Sequence, residues 1–187
     1  MFYYPIDQEV KLALLELKDA PKLYRLIQEN REHLRTWLGW VDSVNSIQDT
    51  KHYIKVVQSK MIEGHGFQSS IRVRGELAGL IGFHNFSMQN RSVSIGYWLG
   101  KNYQKQGLVV KATKALVEYA FNEWDIHRIE IRCATENYDS RRIPEKLGFQ
   151  KEGLLRQVEW LYDHYVDHQV YSMIKGEWDQ KKMDIME

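Results

Sequence analysis

One cysteine, three prolines and almost no net charge set the first limits on this 187-residue chain. A lone thiol, Cys133, forbids an intrachain disulfide and a four-cysteine zinc site. No early run joins a basic start, an apolar stretch and a small-residue cleavage site, so the reducing cytoplasm is the expected compartment. Pro5, Pro21 and Pro144 are too scattered to form a linker, and neither a low-complexity tract nor an internal repeat is present. Residues 1–187 therefore read as a single domain. Twenty-six Lys and Arg against 25 Asp and Glu leave +1, too little for a global field that would recruit nucleic acid or anionic lipid. No apolar run approaches the ~20 residues needed to cross a bilayer as a helix, which excludes a membrane-spanning helix. What is present is a core: 43% hydrophobic and 12% aromatic residues place the chain well outside the disordered class.

Periodicity orders that core. Val10 to Leu17 reads as a first strand, and Asp19 ahead of Pro21 reads as the N-cap of a helix with Leu23, Leu26 and Ile27 on its buried stripe. Helical spacing returns near Asn30 (Leu34, Trp37, Leu38) and from Ile47 to Ile62, where Tyr53, Ile54, Val57 and Met61 share a stripe ended by Gly64 and Gly66. Phe67–Val73, Glu76–Phe86 and Val93–Leu99 predict an antiparallel meander. Leu108, Ala112, Ala115, Leu116, Tyr119 and Ala120 predict a long helix. A strand (Arg128–Ala134), a short helix (Asp139–Leu147, stopped by Gly148) and two long strand-like runs around Tyr162-Asp163-His164 complete an α+β chain.

Chemistry concentrates in the segment Ser94 to Val109, SIGYWLGKNYQKQGLV. A strand enters a short polar loop, and Gly107 stands where the long helix opens. Unpaired N–H groups and the positive end of the helix dipole make such a start a site for phosphate, with Lys101, Lys105 and Lys111 nearby in sequence. Neither G-x-x-x-x-G-K-[ST] nor G-x-G-x-x-G is present, which argues against a nucleotide triphosphatase and a dinucleotide-binding fold. Downstream, Asn137, Asp139 and Ser140 are residue types that cap helices, and by themselves they read as caps. His164 and His168 are four apart on a strand-like run without a helical H-E-x-x-H context, so no metal site is expected. Cys133 reads as a small buried hydrophobe, Asp163 and Asp167 as turn and surface residues, and Arg141-Arg142 as a solvated helix face.

Together these segments resemble the GNAT superfamily of N-acetyltransferases, and within it the RimJ/RimL-like branch that acetylates ribosomal-protein N-termini. The family's [QR]-x-x-G-x-[GA] loop is matched by Gln104, Lys105, Gln106, Gly107, Leu108 and Val109, and its Asn-x-x-Ser step by Asn137 and Ser140. Leu147-Gly148-Phe149 matches its Leu-Gly-Phe, and Asn30 to Leu38 (NREHLRTWL) matches the branch's early-helix segment. Val109 stands where Gly or Ala is usual, and Lys105 where the branch often has a second glycine. Val109 is expected to crowd a diphosphate and weaken the affinity for acetyl-CoA.

The resemblance implies an α+β fold with a largely antiparallel sheet of about seven strands and a V-shaped opening between the fourth and fifth. It implies acetyl-CoA as co-substrate and no metal. Its pantetheine would pair with the backbone of Tyr97, Trp98 and Leu99, its diphosphate would rest on the loop from Gln104 and Gln106 through Gly107, Leu108 and Val109, and Asn137 would hydrogen-bond it. Ser140 would protonate the departing thiolate, and Glu159 matches the position of a carboxylate proposed as general base. The acceptor implied is a protein N-terminal amine, with a small amine (polyamine, aminoglycoside or amino-acid derivative) or a non-catalytic acyl-CoA-binding module as alternatives. A homodimer is compatible with the family, and neither nucleic acid nor membrane is an expected partner.

Overall fold

The computed structural model describes residues 3–186. Its strands are β1 (Tyr3–Pro5), β2 (Val10–Leu14), β3 (Phe67–Val73), β4 (Glu76–Ser87), β5 (Ser92–Leu99), β6 (Arg128–Ala134), β7 (Gln150–Leu161) and β8 (His164–Ile174). Its helices are α1 (Ala20–Glu29), α2 (Arg31–Arg35), α3 (Ile47–Ile62), α4 (Leu108–Glu123), α5 (Tyr138–Lys146) and α6 (Lys175–Met186). The strands form one sheet in the order β1-β2-β3-β4-β5-β6-β8-β7, antiparallel throughout except where β5 meets β6 in parallel. That is one strand more than the resemblance implies, the extra one being the three-residue edge strand β1.

Helices cover both faces. On one, α4 turns Leu108, Ala112, Ala115, Leu116, Ala120 and Phe121 onto Ile81, Phe83, Ile95, Ile129 and Ile131 of the sheet, and Trp178 of α6 joins the same cluster. On the other, Leu23, Leu26, Ile27 and Ile54 from α1 and α3 pack on Leu77 and Leu80. The α3 start is held by a reciprocal capping box in which the Asp49 amide donates to Ser46 Oγ and the Ser46 amide to Asp49 Oδ2.

Three local expectations change. The first strand stops at Leu14 and gives way to a 3-10 turn at Leu17–Asp19. The Asp19 carboxylate does not cap α1: it accepts the Glu16 amide at 3.0 Å and meets the Arg72 guanidinium at 2.8 Å, both side chains about 5% exposed. On α3 the buried positions are Thr50 and Ile54, whereas Tyr53 and Met61 reach solvent.

Candidate active site

The site begins with a failure of strand pairing. β5 and β6 are joined at Ser92↔Arg128, Val93↔Ile129 and Ser94↔Glu130 and then part. β5 continues along β4 as far as Leu99, and β6 along β8 as far as Ala134. The peptide groups of Ile95–Leu99 that face β6 therefore have no strand partner. This is the V-shaped opening, and a cleft of about 370 Å³ occupies it.

The far wall is the start of α4. The chain leaves β5 through a 3-10 turn in which Tyr103 N donates to Gly100 O and Gln104 N to Lys101 O. Lys105 and Gly107 then take left-handed conformations, at φ of +60° and +70°. The left-handed conformation fits the glycine the branch often has at position 105, and here a lysine adopts it. The first intrahelical bond of α4 runs from Lys111 N to Gly107 O, and no side chain caps the helix. The amides of Leu108, Val109 and Val110 are left without helical partners at a wall of the cleft. Lys105, Arg142 and Lys146 line it against a single acid, Asp139. Lys111 is instead engaged by Asp7 at 2.6 Å, and that hydrogen bond, with the amides of Glu9 and Val10, holds the Asp7 carboxyl at about 2.

The third wall is the turn into α5. Asn137 caps that helix, its Oδ1 accepting the Ser140 amide at 3.2 Å, and it lines the cleft as well. Ser140 Oγ donates to Cys133 Sγ at 3.3 Å, and the Ser140 carbonyl accepts from the Tyr97 hydroxyl at 2.9 Å. Burial pushes the Cys133 thiol up, and Cys133 is the buried side chain expected, with a hydrogen bond from Ser140 added. Burial also pushes the Tyr97 phenol well above its usual value, reinforced by Cys133.

Of the residues singled out from sequence, the cleft gathers Tyr97, Trp98, Leu99, Gln104, Gly107, Leu108, Val109, Asn137 and Ser140. Gln106 lies outside the lining, its side chain folded onto Asn102 O at 2.9 Å. Glu159 also lies outside it, on β7, where its carboxylate meets His168 Nε2 at 2.8 Å. Arg141 is not a solvated residue but bonds the Thr135 carbonyl and the Tyr171 hydroxyl. The sequence marked His33 and Asn30 only as part of the early-helix motif, yet His33 lines the cleft with its Nε2 bonded to the Gln104 side-chain amide at 2.7 Å, and Asn30 Oδ1 accepts the Lys101 backbone amide at 2.7 Å. Desolvation, then Lys101, lowers the His33 imidazole below its usual value. Among the described residues no cluster of three or more His, Cys, Asp or Glu is gathered that could hold a metal ion, and no helix is long and apolar enough to cross a membrane.

Residues 9–150 match the acetyltransferase (GNAT) domain family. The chain belongs to the GNAT acetyltransferases. The ribosomal-protein-serine acetyltransferase of Escherichia coli (strain K12) is 31% identical over 172 residues, which is 90% of this chain and 94% of the relative. The solved structure of RimL, a ribosomal L7/L12 α-N-protein acetyltransferase in complex with coenzyme A, superposes with a TM-score of 0.90 at 26% identity, covering 94% of this chain and 99% of that one. The microcin C7 self-immunity acetyltransferase MccE, solved with acetyl-CoA and AMP, superposes with a TM-score of 0.88 at 29% identity over 90% and 94% of the two chains. As a GNAT enzyme the chain is an acyltransferase, and its opening lies between β5 and β6, which are the fourth and fifth strands of the resemblance once the extra edge strand β1 is set aside.

Proposed function

We propose that this GNAT enzyme moves the acetyl group of acetyl-CoA onto the free α-amine of a protein N-terminus, with a ribosomal protein as acceptor. The observation that carries the cofactor half is the uncapped start of α4 facing the unpaired edge of β5 across one cleft. An extended amide chain completes the β5 edge as a strand would, and a diphosphate meets the free amides of Leu108 to Val110 and the cations Lys105, Arg142 and Lys146. Asn137 and the loop from Gln104 to Val109 hold the remainder of the co-substrate.

Three considerations support the acceptor. Two of the relatives, the Escherichia coli ribosomal-protein-serine acetyltransferase and RimL, are named for acting on ribosomal proteins, and a cytoplasmic reaction fits that acceptor. Next, the tip of the β7–β8 hairpin is tied down: Tyr162 OH donates to Leu38 O at 2.6 Å, and the Arg35 guanidinium stacks 3.8 Å over the Tyr162 ring. This contact ties the hairpin to the segment carrying Trp37 and Leu38, which line the cleft, and a wall clamped on that side would favour a chain end over a side chain flanked by two polypeptide arms. Finally, an α-amine of pKa ~7.7–8.0 is neutral in roughly a third of molecules near pH 7.5, against about one in a thousand for a lysine. That difference of roughly 3.5 kcal/mol removes the need for a strong base.

In the reaction the neutral amine attacks the thioester carbonyl in a ternary complex, forming the C–N bond. The oxyanion meets the free amides of β5, the C–S bond breaks, and the Ser140 hydroxyl gives its proton to the departing thiolate. Glu159, which stands outside the cleft lining, takes the proton that the amine releases through intervening water and passes it to solvent, and a proton from solvent restores the Ser140 hydroxyl. A second reading, a small amine as acceptor, draws on the likeness to MccE. Transfer of labelled acetyl to a peptide with a free N-terminus, a lysine peptide with a blocked one, and spermidine separates them. The proposal expects the first to be modified at least tenfold faster than the others. Faster transfer to spermidine would replace it with the second reading, and micromolar acetyl-CoA binding without transfer to any of the three would make the protein a binding module.

A further inference from the structure

Tyr97 bridges the parted strands. It leaves β5 on the cleft wall, and its hydroxyl reaches α5 to donate to the Ser140 carbonyl at 2.9 Å, with Cys133 Sγ 4.0 Å away. The other bonds that hold the start of α5 come from the opposite side of the opening. Asn137 accepts the Ser140 amide, Arg141 binds the Thr135 carbonyl at 2.7 Å and the Tyr171 hydroxyl at 3.1 Å, and Tyr171 donates to Glu145 at 2.6 Å. These fix α5 against β6 and β8, and α5 also packs on α4, while among the described residues the Tyr97 hydroxyl supplies the hydrogen bond that reaches α5 from β5 itself. Yet β5 carries the free backbone edge, so a thioester paired to β5 and a proton donor on α5 sit on parts of the fold that separate. A buried phenol needs its hydrogen bond met, and the Ser140 carbonyl meets it.

We propose that Tyr97 is a positioning residue for Ser140: its hydroxyl ties the first turn of α5 to β5, and so sets the distance between the Ser140 hydroxyl and a thioester held on β5. The proposal rests on the reading of Ser140 as proton donor. It extends the part given to Tyr97, whose main chain belongs to the cofactor edge, by a separate function for its side chain.

The test is a double-mutant cycle with Tyr97→Phe, which keeps the ring and removes the hydroxyl, and Ser140→Ala, with kcat for an N-terminal peptide and the Kd for acetyl-CoA measured for each. Tyr97→Phe is expected to lower kcat about tenfold, the range open to one hydrogen bond, with Kd changed less than about twofold. In the Ser140→Ala background the same substitution is expected to have no further effect, because its target is gone. Wild-type kcat in Tyr97→Phe, a loss that multiplies with that of Ser140→Ala, or a loss confined to acetyl-CoA affinity would each overturn the positioning role. Wild-type turnover in Ser140→Ala alone would instead overturn the role of Ser140, a separate failure that the same cycle identifies.

Discussion

Ser140 is bonded through its amide, its hydroxyl and its carbonyl, each to a different residue, and that explains why one serine holds a defined place at the mouth of a helix. The amide is an ordinary cap interaction with Asn137. The hydroxyl lies against a thiol that burial keeps protonated, a weak partner from which it is easily drawn. If the hydroxyl is the proton donor, Ser140→Ala lowers kcat by roughly a hundredfold while the calorimetric affinity for acetyl-CoA stays within a factor of a few. Equal losses in kcat and affinity would reduce Ser140 to a structural residue. Ser140 and Asn137 were legible because they sit three apart in a short local motif. Tyr97, forty-three positions from Ser140, was marked in sequence for its main chain alone. Glu159 could not be placed by strand alternation, because β7 bulges between Leu155 and Glu159 and Gln157 turns to a φ of +50° there.

Secondary-structure elements follow the same division. The long helix α4 and the meander β3–β4–β5 were readable because apolar residues recur along them at regular spacing. β1 has three exposed residues, and in the described part of α6 Trp178 is the buried side chain, so neither produces a period. Asp19 looked like a cap from its neighbours, but its partner Arg72 comes from β3, a contact no local pattern announces. Two elements carry expectations of their own. At Gly107 an added Cβ has open space, so Gly107→Ala should cost about 1 kcal/mol through the left-handed backbone alone. Gly64, at a φ of +73° and with equal space, should cost the same when changed to Ala. Thermal melts of the two variants should therefore agree, while only Gly107→Ala should raise the Kd for acetyl-CoA. Matching affinities would remove the α4 start from the cofactor site.

Across β6, β8 and β7, Glu152 accepts from the Arg128 fork and from the Ser172 hydroxyl, and the Arg128 hydrogen bond holds its carboxyl below the usual carboxylate value. A carboxyl depressed in the folded state contributes stability above its unfolded value, near 4.5, and loses it as pH falls through the folded value. Glu152 is partly exposed, so Glu152→Gln should cost less than about 1 kcal/mol at pH 7. Urea melts should bring the variant and wild type together as pH drops below about 4. A gap that persisted at pH 3 would point to packing instead of charge.

At the scale of the molecule, a net charge of +1 coexists with a cleft whose charged lining is three cations and one acid. The chain can therefore hold an anionic co-substrate through oriented amides and a local field, and has no global field with which to seek RNA. Binding of acetyl-CoA should weaken only a few-fold from low to high salt, because the free amides of α4 carry much of the diphosphate and are not screened as surface lysines are. The two halves of the sheet, held together at three residue pairs of β5 and β6, place these amides opposite the Ser140 turn, and the hairpin contact at Leu38 ties β7–β8 to the segment that carries Trp37. The whole arrangement serves one claim, that the acceptor is a protein N-terminus. Comparing the N-terminal acetylation of all proteins in cells with and without this enzyme tests it most directly. One or a few N-termini, ribosomal ones among them, should lose their acetyl groups when the enzyme is absent, and an unchanged set of acetylated N-termini would rule out a protein N-terminus as the acceptor.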